Sequence, residues 1–266
     1  MDRGRRLKRG RTQPAMRRVV LGGVLAGVTL ASWSPADAQI VGEIFRMVNP
    51  SVVVIRARGR DVAGGRPVEF TETGSGVLIS GDGKILTAAH VVHTMNEINV
   101  EFLGGETIKA RVVASELGAD LSMLELVQVP AGARVAMLAD SDSVEIGDQV
   151  IVIGAPYGLR HAMTVGSINA RWAPNTIYRV MPLAEFFQTD AVINTGNSGG
   201  PMFNMAGEVI GIVSHNISKS GGSEGLGFGV TVNAAKHLLW ERPAQARSSA
   251  FWIAQVSAYS SKGLRR

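Results

Sequence analysis

Gly76-Val77-Leu78-Ile79-Ser80-Gly81-Asp82-Gly83-Lys84-Ile85-Leu86-Thr87 decides the fold. Two short apolar runs flank Ser80-Gly81-Asp82-Gly83, a composition that lets the backbone reverse, so the stretch predicts a β-hairpin. The pattern recurs outward in both directions. Val52-Val53-Val54-Ile55 follows Asn49-Pro50, a turn and strand start. Further apolar or alternating runs fall at residues 98–102, 108–113, 121–126, 149–153, 163–170, 209–214 and 228–232. Glycine or proline punctuates nearly all of them. Helical periodicity is confined to residues 40–48, a short piece after His90, and residues 234–240. Many short strands with glycine-rich turns predict an all-β sandwich or barrel. A parallel α/β fold needs long helices between strands, and the pattern has none. A join near residues 139–146 divides the body into two halves, residues 39–140 and 141–240.

Composition bounds the function. The 266 residues include no cysteine, 45% are hydrophobic and 18% charged. A disulfide-stapled scaffold and a thiolate metal site both need cysteine. The charged fraction is too low, and the apolar fraction too high, for a disordered chain. A formal net charge of +5 raises nucleic acid or anionic lipid as partners, depending on where the charge sits. It sits at the ends. Residues 1–18 hold eight basic side chains against Asp2 alone. An uncharged apolar run from Val19 to Trp33 follows, then Ala36-Asp37-Ala38. A basic segment, a short apolar run and an A-x-A site predict a secretory signal peptide, residues 1–38. The run falls short of the about 20 residues that span a bilayer. An uncleaved leader would instead anchor the chain in the inner membrane. Arg17-Arg18 resembles a twin-arginine signal, with Met16 where Ser or Thr is usual, so the export route stays open. Residues 241–266 form a basic tail containing Trp252 and Tyr259. Between leader and tail, residues 39–240 carry a net −5, which removes the main support for a nucleic-acid partner.

Three stretches could carry chemistry. They are Leu86-Thr87-Ala88-Ala89-His90-Val91-Val92, Ala119-Asp120-Leu121-Ser122-Met123-Leu124, and Asn194-Thr195-Gly196-Asn197-Ser198-Gly199-Gly200-Pro201. Each alone has a plain reading: a surface or core histidine, a turn aspartate, a turn serine. Together they weigh more. A serine hydroxyl is a weak nucleophile and needs a base, and imidazole suits that task near neutral pH. The imidazole needs a buried carboxylate to fix its tautomer. Glycines around Ser198 allow tight curvature that turns amide N–H groups toward one point, as an oxyanion hole requires. The chain order His, Asp, Ser belongs to chymotrypsin-type folds, not to subtilisin or α/β-hydrolases.

With these residues in place the chain resembles the trypsin-like serine proteases of the HtrA/Deg family. The resemblance runs from about Val48 to Ala235. It includes Gly74-Ser75-Gly76-Val77, Ile85-Leu86-Thr87-Ala88-Ala89-His90, Asp120-Leu121-Ser122, Ile153-Gly154-Ala155-Pro156-Tyr157-Gly158, Gln188-Thr189-Asp190 and Gly225-Leu226-Gly227-Phe228-Gly229. It implies a chymotrypsin/trypsin-like double six-stranded antiparallel β-barrel and a serine endopeptidase. His90 is then the general base, Asp120 its orienting carboxylate and Ser198 the nucleophile. Backbone N–H groups of Gly196, Asn197 and Ser198 would form the oxyanion hole. No metal and no cofactor are implied. His93, His161, His215 and His237 fall outside the triad motifs, and Asp190 reads as structural.

The resemblance also implies unfolded or damaged polypeptides as substrates, a periplasmic location and a homotrimer, for which residues 40–48 with Phe45 could serve. A non-proteolytic chaperone or peptide-binding protein on the same fold is the alternative. Asn197 stands where digestive relatives place an aspartate that pairs with a newly cut N-terminus, so no propeptide cleavage is expected to activate this chain. Val192 stands where trypsin-like digestive enzymes put a pocket-base aspartate. With Ile193, Val213 and Ser214 it points to a small or medium aliphatic side chain before the cut bond. Residues 171–185, 193–197 and 215–225 are the candidate regulatory loops. Only 31 residues follow Ala235, too few for the PDZ domain usual in the family, so a protease-only member or a truncated chain is expected.

Overall fold

The computed structural model describes residues 35–63 and 66–241. Residues 1–34 of the expected leader, and the tail beyond residue 241, lie outside the described residues. The element order is α1 (Pro35–Val48), β1 (Val52–Ala63), β2 (Arg66–Leu78), β3 (Lys84–Thr87), α2 (Ala89–Val92), β4 (Glu97–Glu101), β5 (Thr107–Glu116) and β6 (Leu121–Leu126). It continues with β7 (Gln149–Gly154), β8 (Ala162–Trp172), β9 (Phe186–Thr189), β10 (Pro201–Phe203), β11 (Val209–Asn216), β12 (Gly227–Thr231) and α3 (Val232–Lys236). The strands close into two antiparallel barrels, ordered β1-β2-β3-β6-β5-β4 and β10-β11-β12-β9-β8-β7.

Strand alternation explains why several runs are apolar at every position. Successive side chains on a strand point to opposite faces. Val53, Ile55, Leu78, Ile85 and Leu124 fill the first barrel, and Val150, Val152, Phe187, Met202 and Val213 fill the second. Their neighbours Val52, Val77, Leu86, Leu121, Ile151, Ile153, Phe186 and Ile212 form a third cluster. That cluster takes side chains from both barrels, so these strands are covered on both faces. With no cysteine in the chain, apolar packing and hydrogen bonds across this seam hold the barrels together. Ile44 and Val48 of α1 join the same cluster.

The expected hairpin is present, with Val77 paired to Leu86 and Leu78 to Ile85. Two features differ from the sequence reading. β1 and β2 run far beyond residues 52–55 and 76–79, in a long ribbon that exposes Arg56, Arg58, Arg60, Glu69 and Thr71, with Arg60 pairing Glu69 at 3.0 Å. Cross-strand pairing, not apolar content, sustains that ribbon. β9 and β10 have four and three residues. Runs that short carry no periodicity of their own and exist because neighbouring strands pair with them.

Candidate active site

β3 leads directly to the first candidate residue. Its last residue, Thr87, is buried, and α2 begins two residues later with His90 in its single turn. Asp120 follows the short 3-10 turn Leu117–Ala119 and takes φ 54, the left-handed region. That conformation costs a non-glycine residue about 1–2 kcal/mol, and aspartate tolerates it because its short side chain bonds locally. Here the carboxylate accepts from the backbone N–H of His90 at 3.0 Å, and both its oxygens lie 2.9 Å from His90 Nδ1. Ala89 N–H donates to Asp120 O at 3.1 Å, closing the link between the two segments.

The environment sets two different charge states. Burial pushes Asp120 toward neutrality, but hydrogen bonds from His90 and Ser214 and the charge of His90 outweigh it, and the carboxyl is held below its ordinary range. Asp120 therefore stays ionised at neutral pH. His90 is crowded by protein in the cleft, and that desolvation disfavours its charged form. The hydrogen bond and charge of Asp120, with Glu72 further off, outweigh it and raise the imidazole above 6.5. Its outer edge is still open, with 48% of the side chain exposed.

Ser198 lies in the loop between β9 and β10. The curvature expected of its glycines is present: Gly196 has φ 102 and Gly199 φ 82. Gly199 N–H bonds Val213 O at 2.7 Å and Gly200 N–H bonds Asn197 O at 2.9 Å. Asn197 N–H is already committed to Asn194 O at 3.0 Å. The N–H groups of Gly196 and Ser198 donate to no group among the described residues, so these two are available to a substrate oxygen. Ser198 Oγ donates to Ser214 O at 3.1 Å rather than to His90.

The positions assigned to a substrate pocket separate. Ile193 and Val213 pack in the second-barrel core, and Val192 is exposed. Ser214 is buried, and its hydroxyl donates to Asp120 Oδ2 at 2.5 Å. Asp190 accepts from Ser167 N–H at 2.7 Å. Of the candidate loops, residues 171–185 are clamped at their base by Arg171 to Glu185 at 2.9 and 3.0 Å. Residues 215–225 are tied to Ile193 O and Gly222 O by Asn216, while Glu224 accepts from the N–H groups of Lys219 and Ser220.

Two residues without an assigned role touch the site. Ser75 is fully buried on β2, donates to Gly196 O at 2.7 Å and accepts from Ala155 N–H at 3.0 Å. His215 places Nδ1 2.9 Å from Ser214 Oγ. The glycines beside Ser75 were the one signal for the first. His215 left no local signal.

Two antiparallel barrels with His90, Asp120 and Ser198 converging between them define a trypsin-like architecture. The chain belongs to the trypsin-like peptidase domain family, whose match covers residues 74–212. Within it the chain is similar to the "Probable periplasmic serine endoprotease DegP-like" of Pseudomonas savastanoi pv. phaseolicola (strain 1448A / Race 6), 37% identical over 205 residues, 76% of this chain and 41% of the relative. The protein of the same description from Halomonas elongata is 41% identical over 175 residues, 65% of this chain and 35% of the relative. The chain thus spans about two-fifths of the length of these curated relatives. Among solved structures, "HtrA-type protease AlgW with tripeptide" matches with a TM-score of 0.65 at 31% identity, covering 73% of this chain and 60% of that one. "HtrA-type protease AlgW with decapeptide" gives a TM-score of 0.65 at 28% identity, covering 74% and 66%.

Proposed function

We propose that this chain is a serine endopeptidase that cuts unfolded or damaged polypeptides in the periplasm. The observation that carries the reading is the pairing of His90 Nδ1 with a buried, ionised Asp120. It fixes the imidazole tautomer with the proton on Nδ1 and leaves Nε2 free to accept.

The chemistry follows from the geometry. Ser198 Oγ turns from Ser214 O toward His90, gives its proton to Nε2 and attacks the peptide carbonyl carbon. Negative charge develops on the carbonyl oxygen and is met by the N–H groups of Gly196 and Ser198. Asp120 stabilises the imidazolium without taking its proton. The imidazolium then protonates the leaving amine, the C–N bond breaks, and the acyl group stays on Ser198. Water, deprotonated by His90, repeats the attack and frees the acid.

Substrate and setting follow the relatives. Those relatives are described as periplasmic, and residues 1–38 of this chain read as an export leader. A homotrimer completes the proposal. Incubating the mature protein with casein, beside Ser198→Ala, tests the catalytic reading. The wild type cleaves and the variant does not. Cleavage by both refutes the nucleophile assignment, and cleavage by neither supports the chaperone alternative. A mature mass and gel filtration test leader removal and assembly.

A further inference from the structure

Four side chains form one hydrogen-bonded line: His215 Nδ1, Ser214 Oγ, Asp120 Oδ2 and, through the carboxylate, His90 Nδ1. The proton count along it is fixed. Ser214 has one hydroxyl hydrogen and donates it to Asp120. It cannot also donate to His215, so His215 must donate from Nδ1, and because burial keeps the ring neutral its Nε2 is bare.

The surroundings hold His215 in that state. Its ring stacks on Phe228 at 5.3 Å and 13°, and Tyr178 and Phe186 close on it edge-on at 4.4 and 5.5 Å. Its Nε2 is buried and unpartnered among the described residues. Three titratable groups bear on it. Asp120 favours its charged form, His90 opposes it, and Tyr178 packs against it with a buried, unpartnered hydroxyl. Burial dominates, and the imidazole is pushed down to about 4.

We infer that His215 is a positioning residue of the hydrolytic site: its Nδ1–H orients the Ser214 hydroxyl onto Asp120 and so sets the basicity of His90. This inference rests on the serine-endopeptidase reading. The physical reason is polarisation along a hydrogen-bonded chain. A donor on Ser214 Oγ strengthens the bond that Ser214 gives to Asp120. The carboxylate then carries less free charge toward His90. Without the donor, Asp120 holds the imidazolium more tightly and His90 becomes more basic.

Two substitutions separate this role from packing. His215→Phe keeps the aromatic stack and removes a buried nitrogen that has no partner, but it deletes the donor. His215→Asn loses the stack but places an amide N–H near the position of Nδ1. For His215→Phe, the acid limb of kcat/KM moves up by roughly half a pH unit, a threefold change in the His90 equilibrium, while Tm holds or rises. For His215→Asn, Tm falls and the limb returns to its wild-type position. If His215→Phe shares the wild-type limb, or if His215→Asn moves with it, His215 only packs. Nitrogen-15 NMR of the histidines in the native protein gives an independent reading. A neutral Nδ1–H tautomer for His215 at pH 7 is expected, and an Nε2–H tautomer overturns the inference. Persistent cleavage by Ser198→Ala would instead refute the underlying hydrolytic reading, and the two failures are distinct.

Discussion

Ser75 Oγ, on the first barrel, donates a 2.7 Å hydrogen bond to the carbonyl oxygen of Gly196, in the loop of the second barrel that carries Ser198. Ser75 Oγ also accepts from Ala155 N–H, and Ser75 N–H donates to Ser198 O at 2.8 Å. One side chain from the N-terminal half thus holds the backbone whose N–H groups would meet a substrate oxygen. Thr87 Oγ1, donating to Ser75 O at 2.8 Å, fixes Ser75 in turn.

Ser75→Ala leaves Gly196 O and Ala155 N–H buried without their partner. Stability falls by about 1–3 kcal/mol, the cost of unpaired buried polar groups. Turnover falls by roughly tenfold, short of the ~10²–10³ for losing a donor outright, because Gly196 shifts but keeps its N–H. Urea unfolding and kcat measured together check this. An unchanged kcat with a lowered midpoint would leave the bond a structural one only.

Gly199→Ala is expected to abolish activity. Gly199 has φ 82, and a Cβ there would lie 2.2 Å from Thr87 Oγ1 and 2.3 Å from Ser75 O. Both neighbours belong to the support of the Ser198 loop, so neither can move without disturbing it. Gly221→Ala is the control. It has φ 85 but meets nothing within 4 Å. Only the backbone strain of about 1–2 kcal/mol remains, and cleavage persists. Casein assays on the two variants read the difference directly.

The pH profile follows from His90. In the proposed mechanism His90 must be neutral to take the Ser198 proton, and Asp120 raises its basicity above the ordinary 6.5 despite its crowding. Activity therefore rises with pH through a midpoint above 6.5. Asp120→Asn removes the charge that raises it, so the residual activity of that variant has its midpoint lower. A pH series of kcat/KM for both proteins tests the direction.

His215 makes a separate prediction for acid stability. Its imidazole is pushed down to about 4 when folded and has its ordinary value near 6.5 when unfolded. Above pH 6.5 neither state binds the proton. Between 6.5 and about 4 the unfolded chain binds it preferentially, so stability falls as pH falls, by up to roughly 3 kcal/mol. Below about 4 both states are protonated and this contribution levels off. Stability of His215→Phe should decline less across that window in urea titrations at several pH values. Parallel curves for the two proteins would contradict the assignment.

The strands that the sequence disclosed were those with a face in a barrel and a face against the other barrel or solvent. Residues 149–153 read as a strand because Val150 and Val152 fill one barrel while Ile151 and Ile153 meet the other. β9 and β10 stayed hidden because three or four residues hold no period. His90, Asp120 and Ser198 stood out as candidates because each sits in a motif bounded by glycine or apolar residues, in an order that few folds share.

What the sequence alone determined was therefore the all-β class, the two-barrel expectation and the three residues to watch. The company these residues keep came from the folded barrels. Ser75 meets Gly196 across 121 positions, and Ser214 meets Asp120 across 94. His215 joins the line only because β11 closes beside Asp120 in space. Such bonds depend on how two barrels face each other, and no local composition records that.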